Sequence, residues 1–186
     1  MEGKPQTRRG DAAALPPDCR QVTQGVVFFD LSRLMEWASS QEDERIAAML
    51  QEFYCLSVAR IEAAGGRVVK FIGDAGLAVF PKEAAERIVF ALAGLSSEVR
   101  RAAAAHGFDT YLNTNVHFGP MMAGTFGPPG MERYDVLGKS VNIAARLGRR
   151  GLTLSQQAFR CLGAEARARF DKVEPPVTYR FNERGT

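Results

Sequence analysis

The sequence is poor in the residues that build metal centres from sulfur and imidazole. It contains three cysteines, Cys19, Cys55 and Cys161, which lie far apart without a CxxC pair, and two histidines, His106 and His117. An odd number of separated cysteines argues against a disulfide framework and a zinc knuckle. Without an HExxH spacing, the histidines leave little material for an imidazole metal site or a Ser-His-Asp hydrolase. We interpret this as a protein of a reducing compartment and expect a cytoplasmic location.

A long apolar run and a strong charge of one sign are missing as well. The longest uninterrupted apolar stretch, around 89–95, is far shorter than the roughly 20 residues that a membrane-spanning helix requires. The chain has 24 Lys and Arg against 21 Asp and Glu, a net charge of +3 with the two signs interleaved. Such a balance does not predict a nucleic-acid surface. We therefore expect no membrane span and no nucleic-acid partner.

Length and composition favour one globular unit. The chain has 186 residues, of which 46% are hydrophobic and 24% charged. These values are typical of a domain with a real core and exclude a disordered or collagen-like chain. Residues 1–20 are predicted to be a flexible arm, because they carry charges and prolines and too short an apolar patch for a secretory signal. Residues 21–186 are predicted to form a single domain.

The apolar patterning predicts strands and helices in a definite order. A β-branched and aromatic run ends at Asp30, and a capping pattern at Ser39-Ser40 precedes a helix of about six turns that stops at Gly65-Gly66. The elements that follow are predicted as a hairpin over 67–80 with its turn at 73–76, a helix over 83–106, strands over 111–118, 121–126 and 134–137, a helix over 140–147, a strand over 152–154, a helix capped by Ser155, and a strand over 177–181.

This order predicts an α/β or α+β fold. The succession strand, helix, hairpin, helix, strand is the ferredoxin-like split βαβ arrangement. We expect a mostly antiparallel sheet with helices packed on one face.

Two aspartates stand at neighbouring ends of predicted strands. Asp30 follows the first apolar strand, and Asp74 lies in the hairpin turn beside it. Carboxylates brought together at one sheet edge suit Mg²⁺ or Mn²⁺, because these ions prefer oxygen ligands. The alternative is that Asp30 caps the next helix and Asp74 fills a turn, and spacing alone favours that structural interpretation.

Several motifs in a fixed order resemble one known family. They are Phe29-Asp30, Lys70-Phe-Ile-Gly-Asp74 with Phe80, Gly119 and Gly124, and Arg133-Tyr-Asp-Val-Leu-Gly138 followed by Val-Asn142-Ile-Ala-Ala-Arg146-Leu147. Over roughly residues 24–158 the sequence resembles the catalytic domain of class III nucleotidyl cyclases. The resemblance implies that ATP is cyclised to cyclic AMP and pyrophosphate by attack of the ribose 3′-hydroxyl on the α-phosphate.

The resemblance also assigns the metal site and the oligomeric state. Asp30, Asp74 and the backbone carbonyl of Leu31 match the ligands of two divalent ions, Mg²⁺ or Mn²⁺. Asn142 and Arg146 match the residues that orient the ribose and stabilise the transition state. Because the family builds each site from two subunits, a homodimer or a partner domain of the same kind is expected.

Lys70 and Asp135 match the purine-selecting pair of adenylate cyclases. A Lys donor and an Asp acceptor fit adenine, which presents an acceptor at N1 and a donor at its 6-amino group. Guanine reverses both groups and would leave buried polar atoms unpaired. Taken singly, Lys70 is also compatible with a snorkelling strand residue, Asp135 with a loop-edge acid and Arg146 with a solvated helix residue.

Two departures from the family pattern leave undecided which residues bind the phosphates. The family usually reads Asp-Ile-x-Gly-Phe-Thr after the first aspartate, whereas this chain has Arg33, Leu34 and Met35 in the last three places. Arg33 in place of Gly either hinders close backbone approach or adds a cation to the triphosphate. The Lys-Gly expected near the last strands is also absent, and Lys172 is a candidate substitute.

These departures sustain a rival function. The chain could be a cyclase-like domain that binds ATP with little or no turnover and serves as a sensor or regulatory module. A diguanylate-cyclase-like enzyme is disfavoured, because no GG[DE]EF-like hairpin is present at 72–75.

Overall fold

The computed structural model describes residues 15–148, 150–174 and 176–182. Residues 1–14 of the predicted arm lie outside the described residues. Near the end of that predicted arm, the carboxylate of Asp18 accepts hydrogen bonds from the backbone N–H of Thr125 at 2.9 Å and from its hydroxyl at 2.6 Å. The first strand begins at Arg20, so residues 18–20 lie against the sheet.

The described residues form eight strands and six α-helices. The strands are β1 (Arg20–Leu31), β2 (Arg67–Ile72), β3 (Ala75–Phe80), β4 (Leu112–Phe126), β5 (Arg133–Leu137), β6 (Leu152–Ser155), β7 (Phe170–Val173) and β8 (Thr178–Phe181). The helices are α1 (Leu34–Ala38), α2 (Asp43–Ala63), α3 (Ala85–Ala105), α4 (Lys139–Arg146), α5 (Gln156–Arg160) and α6 (Ala164–Arg167), and a short 3₁₀ helix (Lys82–Ala84) precedes α3.

All eight strands belong to one sheet. The order is β2-β3-β1-β4-β6-β8-β7, and β5 pairs with the second half of β4. The pairings are antiparallel except that of β4 with β6. The predicted mixed fold with a mostly antiparallel sheet and a split βαβ core is therefore confirmed, and β1 lies in the interior of the sheet.

The two faces of the sheet are covered differently. Residues of α2, α3 and α5 pack with Phe29 and Leu31 of β1 in the larger apolar core. A second, smaller cluster joins Ala144 of α4 to Val26 and Met121 on the opposite face. The expectation that all helices lie on one face is wrong for α4, because the apolar side of this short helix packs against the alternate residues of β1 and β4.

Three local predictions are corrected. Ser39 and Ser40 do not cap α2, because their hydroxyls donate to the carbonyls of Glu36 and Trp37 at the end of α1, a helix that the sequence did not predict. The predicted strands 111–118 and 121–126 are one continuous strand, β4. Helix α6 and strand β7 were not predicted either.

No helix in the described part of the chain is both long and apolar enough to cross a membrane.

Candidate active site

The end of β1 and the β2–β3 turn bring Asp30 and Asp74 together. Asp30 is paired with Ala75 of β3 on one side and with Asn113 of β4 on the other. The backbone N–H of Leu31 donates to the carbonyl of Asp74 at 3.1 Å, which ties the turn to the strand end. The structure thus places the two predicted carboxylates at one sheet edge, with the backbone of Leu31 between them.

The electrostatics of Asp30 show that the two carboxylates interact. Burial raises the pKa of Asp30, a hydrogen bond of 3.1 Å from the amide of Asn113 lowers it in part, and the negative charge of Asp74 raises it. A half-buried carboxylate beside a second carboxylate is poorly stabilised in its charged form. A cation placed between the two would remove that penalty.

The β2–β3 turn is held in position by contacts with helix α2. Gly73 has φ 60°, a left-handed conformation that glycine adopts without strain. The hydroxyl of Tyr54 in α2 donates to the carbonyl of Gly73 at 2.6 Å, and the Tyr54 ring stacks on Phe71 at a centroid distance of 4.1 Å. Burial, and then the charge of Asp74, raise the pKa of Tyr54. The position of Asp74 is therefore set by packing as well as by the turn.

The donor atoms at this edge fit a hard divalent ion. The two carboxylates and the Leu31 carbonyl are oxygen ligands, and the side-chain oxygen of Asn113 is buried without a hydrogen-bond partner among the described atoms. The described residues include no group of three or more His, Cys, Asp or Glu side chains that could hold an ion by themselves. Such a set suits Mg²⁺ or Mn²⁺ when a bound phosphate chain completes the coordination.

Sequence reasoning missed Asn113 and Tyr54. Asn113 is the direct cross-strand partner of Asp30. Its position among the polar residues that alternate with apolar ones in the predicted strand was a usable signal. The sequence did not show which strand would pair with this one or in which register. Tyr54 had no signal, because its partner is a backbone carbonyl in another element.

A second pair, Lys70 and Asp135, comes together from β2 and β5. The ammonium of Lys70 lies 2.5 Å from a carboxylate oxygen of Asp135, and their side chains are 39% and 20% exposed. The other oxygen of Asp135 accepts from the backbone N–H of Val136 at 2.8 Å. Nearby, the guanidinium of Arg67 lies 3.8 Å from the centre of the Tyr134 ring. The structure joins the two residues that were predicted to act as one pair.

Asn142 and Arg146 are both exposed on α4. The backbone N–H of Asn142 donates to the carbonyl of Gly138 at 3.4 Å, but neither side chain forms a hydrogen bond or ion pair with another described residue. Because side chains alternate along a strand, Asp30 lies on the same face of β1 as Phe28, which packs in the smaller cluster with α4. Asn142, Arg146 and Asp30 therefore belong to the same, less covered side of the sheet.

Arg33 and Leu34 have their side chains engaged within the chain. Arg33 has φ 65° and is the one non-glycine residue with positive φ among those described. Its guanidinium pairs with Glu36 at 3.1 Å and with Asp109 at 3.0 Å. The Leu34 side chain is only 8% exposed and belongs to the larger core.

Lys172, the candidate substitute for the Lys of the family's Lys-Gly, lies on β7. That strand is at the edge of the sheet remote from β2. Its ammonium pairs with Glu174. The structure therefore does not bring Lys172 to the strand ends that carry Asp30 and Asp74.

Comparison with known families gives a match over most of the chain. Residues 18–175 match the family model described as adenylate and guanylate cyclase catalytic domain. An uncharacterized protein of Mycobacterium tuberculosis is 31% identical over 131 residues, which cover 66% of this chain and 23% of that protein. An uncharacterized protein of Mycobacterium bovis is 31% identical over 160 residues, covering 78% of this chain and 28% of that protein. The chain thus spans about a quarter of the length of these curated relatives.

Solved structures share the fold at lower identity. A bacterial light-regulated adenylyl cyclase superposes with a TM-score of 0.78 and 21% identity, covering 89% of this chain and 53% of that one. The guanylyl cyclase Cya2 gives 0.76 and 17%, covering 91% and 98%. The adenylyl cyclase CyaB from P. aeruginosa gives 0.76 and 17%, covering 88% and 95%. Adenylyl and guanylyl cyclases are both similar in fold, so the fold does not distinguish the two bases.

Proposed function

Because the chain belongs to the class III adenylate and guanylate cyclase catalytic domain family, we propose that it converts ATP into cyclic AMP and pyrophosphate. The observation that carries the choice of base is the 2.5 Å contact between Lys70 and Asp135, which places one donor and one acceptor side by side. The convergence of Asp30 and Asp74 at the neighbouring strand ends supports a phosphate-binding metal site on the same domain.

The Lys70–Asp135 pair is complementary to adenine. The Lys70 ammonium would donate to N1, and the Asp135 carboxylate would accept from the 6-amino group. Guanine presents a donor at N1 and an acceptor at O6, so both contacts would become mismatches. A site built for one hydrogen-bonding pattern rejects the reversed pattern because its own polar groups are left unpaired.

The reaction requires one bond to form and one to break at the α-phosphorus. The ribose 3′-oxygen attacks the α-phosphorus, its proton passes to solvent water, and the bond to the oxygen bridging to the β-phosphate breaks, releasing pyrophosphate. Asn142 would orient the ribose, and the Arg146 guanidinium would neutralise charge that grows on the α-phosphate. Two Mg²⁺ or Mn²⁺ ions held by Asp30, Asp74 and the Leu31 carbonyl would acidify the hydroxyl and offset charge on the leaving group.

We propose that the backbone of Arg33 and Leu34, and not their side chains, borders the triphosphate. The guanidinium of Arg33 is held by Glu36 and Asp109, and the Leu34 side chain is in the core. The positive φ of Arg33 is the conformation that a glycine adopts freely. Arg33 can thus adopt the backbone conformation that a glycine would have at this position of the family pattern.

The primary test is an assay of the purified protein with ATP and either Mg²⁺ or Mn²⁺. We expect cyclic AMP and pyrophosphate in equal amounts. ATP binding is measured in parallel by calorimetry. Binding without product would reject the enzyme and leave the second candidate, an ATP-binding regulatory module, whose support is the phosphate segment in which Arg33 replaces glycine.

The shared site is tested by mixing two inactive variants. Asn142 and Arg146 are exposed, and their side chains have no partner among the described residues of their own chain, which supports their use by a second copy. Asp30→Asn and Arg146→Ala should each be inactive, because each removes one part of every site of a homodimer. Mixed in equal amounts, they should recover roughly a quarter of the wild-type activity, since one of the two sites is intact in half of the dimers. No recovery in a mixture shown to exchange subunits would exclude the shared site.

A further inference from the structure

A cavity of about 330 Å³ lies against α3, away from the proposed ATP site. It is bounded by one face of α3, by the start of β4, by the residues that precede β6 and by the end of β8. The polar and aromatic residues that line it are Ser96, Ser97, Arg100, Tyr111, Arg150 and Phe181. It shares none of its lining residues with the pairs Asp30–Asp74 and Lys70–Asp135.

The lining of this cavity is cationic and rich in free donors. Arg100 and Arg150 form no ion pair with any described carboxylate, and no acid is among the lining residues. The hydroxyls of Ser96, Ser97 and Tyr111 make no hydrogen bond within the part of the chain that the structure describes. Several donors therefore line one cavity without an acceptor. This differs from Arg33 and Arg60, whose guanidinium groups pair with carboxylates.

Helix α3 and the residues around Tyr111 and Arg150 supply the donors of the cavity, of which Ser97, Arg100 and Arg150 are exposed to solvent. Ser96, Ser97 and Arg100 lie at helical spacing on one face of α3. The guanidinium of Arg150 lies over the Tyr111 ring, 4.8 Å from its centre. This cation–π contact holds the exposed Arg150 guanidinium beside Tyr111, a second lining residue of the cavity.

We propose that this cavity binds the phosphoryl group of a small phosphate-bearing molecule. Guanidinium forks donate paired hydrogen bonds that match phosphate oxygens, and serine hydroxyls add further donors. The volume is at the lower end of the range for small-molecule sites, enough for a phosphoryl group with a small attached body. The rings of Tyr111 and Phe181 supply apolar walls for that body.

The test is calorimetric titration with inorganic phosphate, ribose 5-phosphate and glycerol 3-phosphate, none of which carries a base that the Lys70–Asp135 pair could bind, each against the purified protein without ATP. We expect one binding event that weakens by at least about tenfold in Arg100→Gln and in Arg150→Gln, because each loses charged hydrogen bonds. Comparison of the three compounds distinguishes free phosphate from a phosphorylated metabolite as the source. Arg160→Gln is the control, since Arg160 is an exposed arginine on α5 that does not line the cavity.

A further variant separates this cavity from the ATP site. Lys70→Ala should leave the affinity for inorganic phosphate unchanged, because Lys70 does not line the cavity. The proposal is overturned if none of the three compounds binds at roughly millimolar concentrations, if both arginine variants bind as the wild type does, or if Lys70→Ala abolishes the binding. None of these measurements depends on cyclase turnover.

Discussion

The choice of ATP over GTP should depend on Lys70 and Asp135, and it should be reversible. In the double variant Lys70→Glu with Asp135→Ser, residue 70 becomes an acceptor for the guanine N1–H, and residue 135 becomes a donor for O6. An unsatisfied buried polar group costs about 1–3 kcal/mol, or roughly 5- to 150-fold. Because the two side chains are 39% and 20% exposed, the low end applies. Two mismatches then multiply to roughly 25-fold in kcat/KM.

The substitution should change selectivity without unfolding the protein. A partly exposed ion pair contributes about 0–1 kcal/mol to stability, so the double variant should lose at most about 4 °C in Tm. Lys82→Glu is the control, since it makes the same substitution as Lys70→Glu at an exposed lysine in the 3₁₀ helix before α3. It should keep both the activity and the nucleotide preference of the wild type.

The assay is kcat/KM for ATP and for GTP, measured after chromatographic separation of the products, cyclic AMP and cyclic GMP. We expect the wild type to favour ATP and the double variant to favour GTP, each by about 25-fold or more. Equal use of the two nucleotides by the wild type would refute the assigned role of the pair. So would an unchanged ratio in a folded double variant.

Three further outcomes follow from single side chains. Asp30→Asn should abolish the rise in Tm that Mn²⁺ and ATP together produce. It should not lower the Tm of the ligand-free protein, because the substitution removes a half-buried charge beside a second carboxylate. A lower Tm of the ligand-free variant would contradict this. Burial lowers the pKa of His117 from 6.5, so as the pH falls the unfolded chain takes up a proton before the folded chain does, and stability falls as the pH drops below 6.5. In urea unfolding, the wild type should lose this stability relative to His117→Gln between about pH 7.5 and about pH 5.5. Parallel pH profiles of the two proteins would contradict the assignment. Arg33→Gly should change KM for ATP by less than about tenfold, because the guanidinium is paired within the chain, and a larger increase in KM would identify Arg33 as a phosphate ligand.

Local patterns in the sequence were sufficient to predict most elements and the placement of Asp30 and Asp74. The apolar run before Asp30 and the Gly-Asp turn before β3 are short-range features, and strand propensity and turn chemistry act within a few residues. The predicted hairpin and the two long helices agree with the structure for that reason.

Contacts between distant segments required the tertiary structure. Lys70 and Asp135 are 65 positions apart, and their contact depends on how β5 pairs with β4. The resemblance to the cyclase family predicted them as a pair, whereas for each residue taken alone a structural role was the favoured interpretation. The same limit applies to Asn113, whose contact with Asp30 is set by the register between β1 and β4.

The sequence by itself determined the order of the elements and the kinds of side chain available for chemistry. The tertiary structure decided that α4 packs on the opposite face from the long helices α2 and α3, and that the Arg33 guanidinium pairs with Glu36 and Asp109. It also decided that two arginines with no carboxylate partner among the described residues line one cavity beside α3. The physical reason is the distance along the chain over which each kind of interaction acts. Propensity and periodicity act along a few turns or residues, whereas packing and charge pairing join groups that only the folded chain brings within a few ångströms.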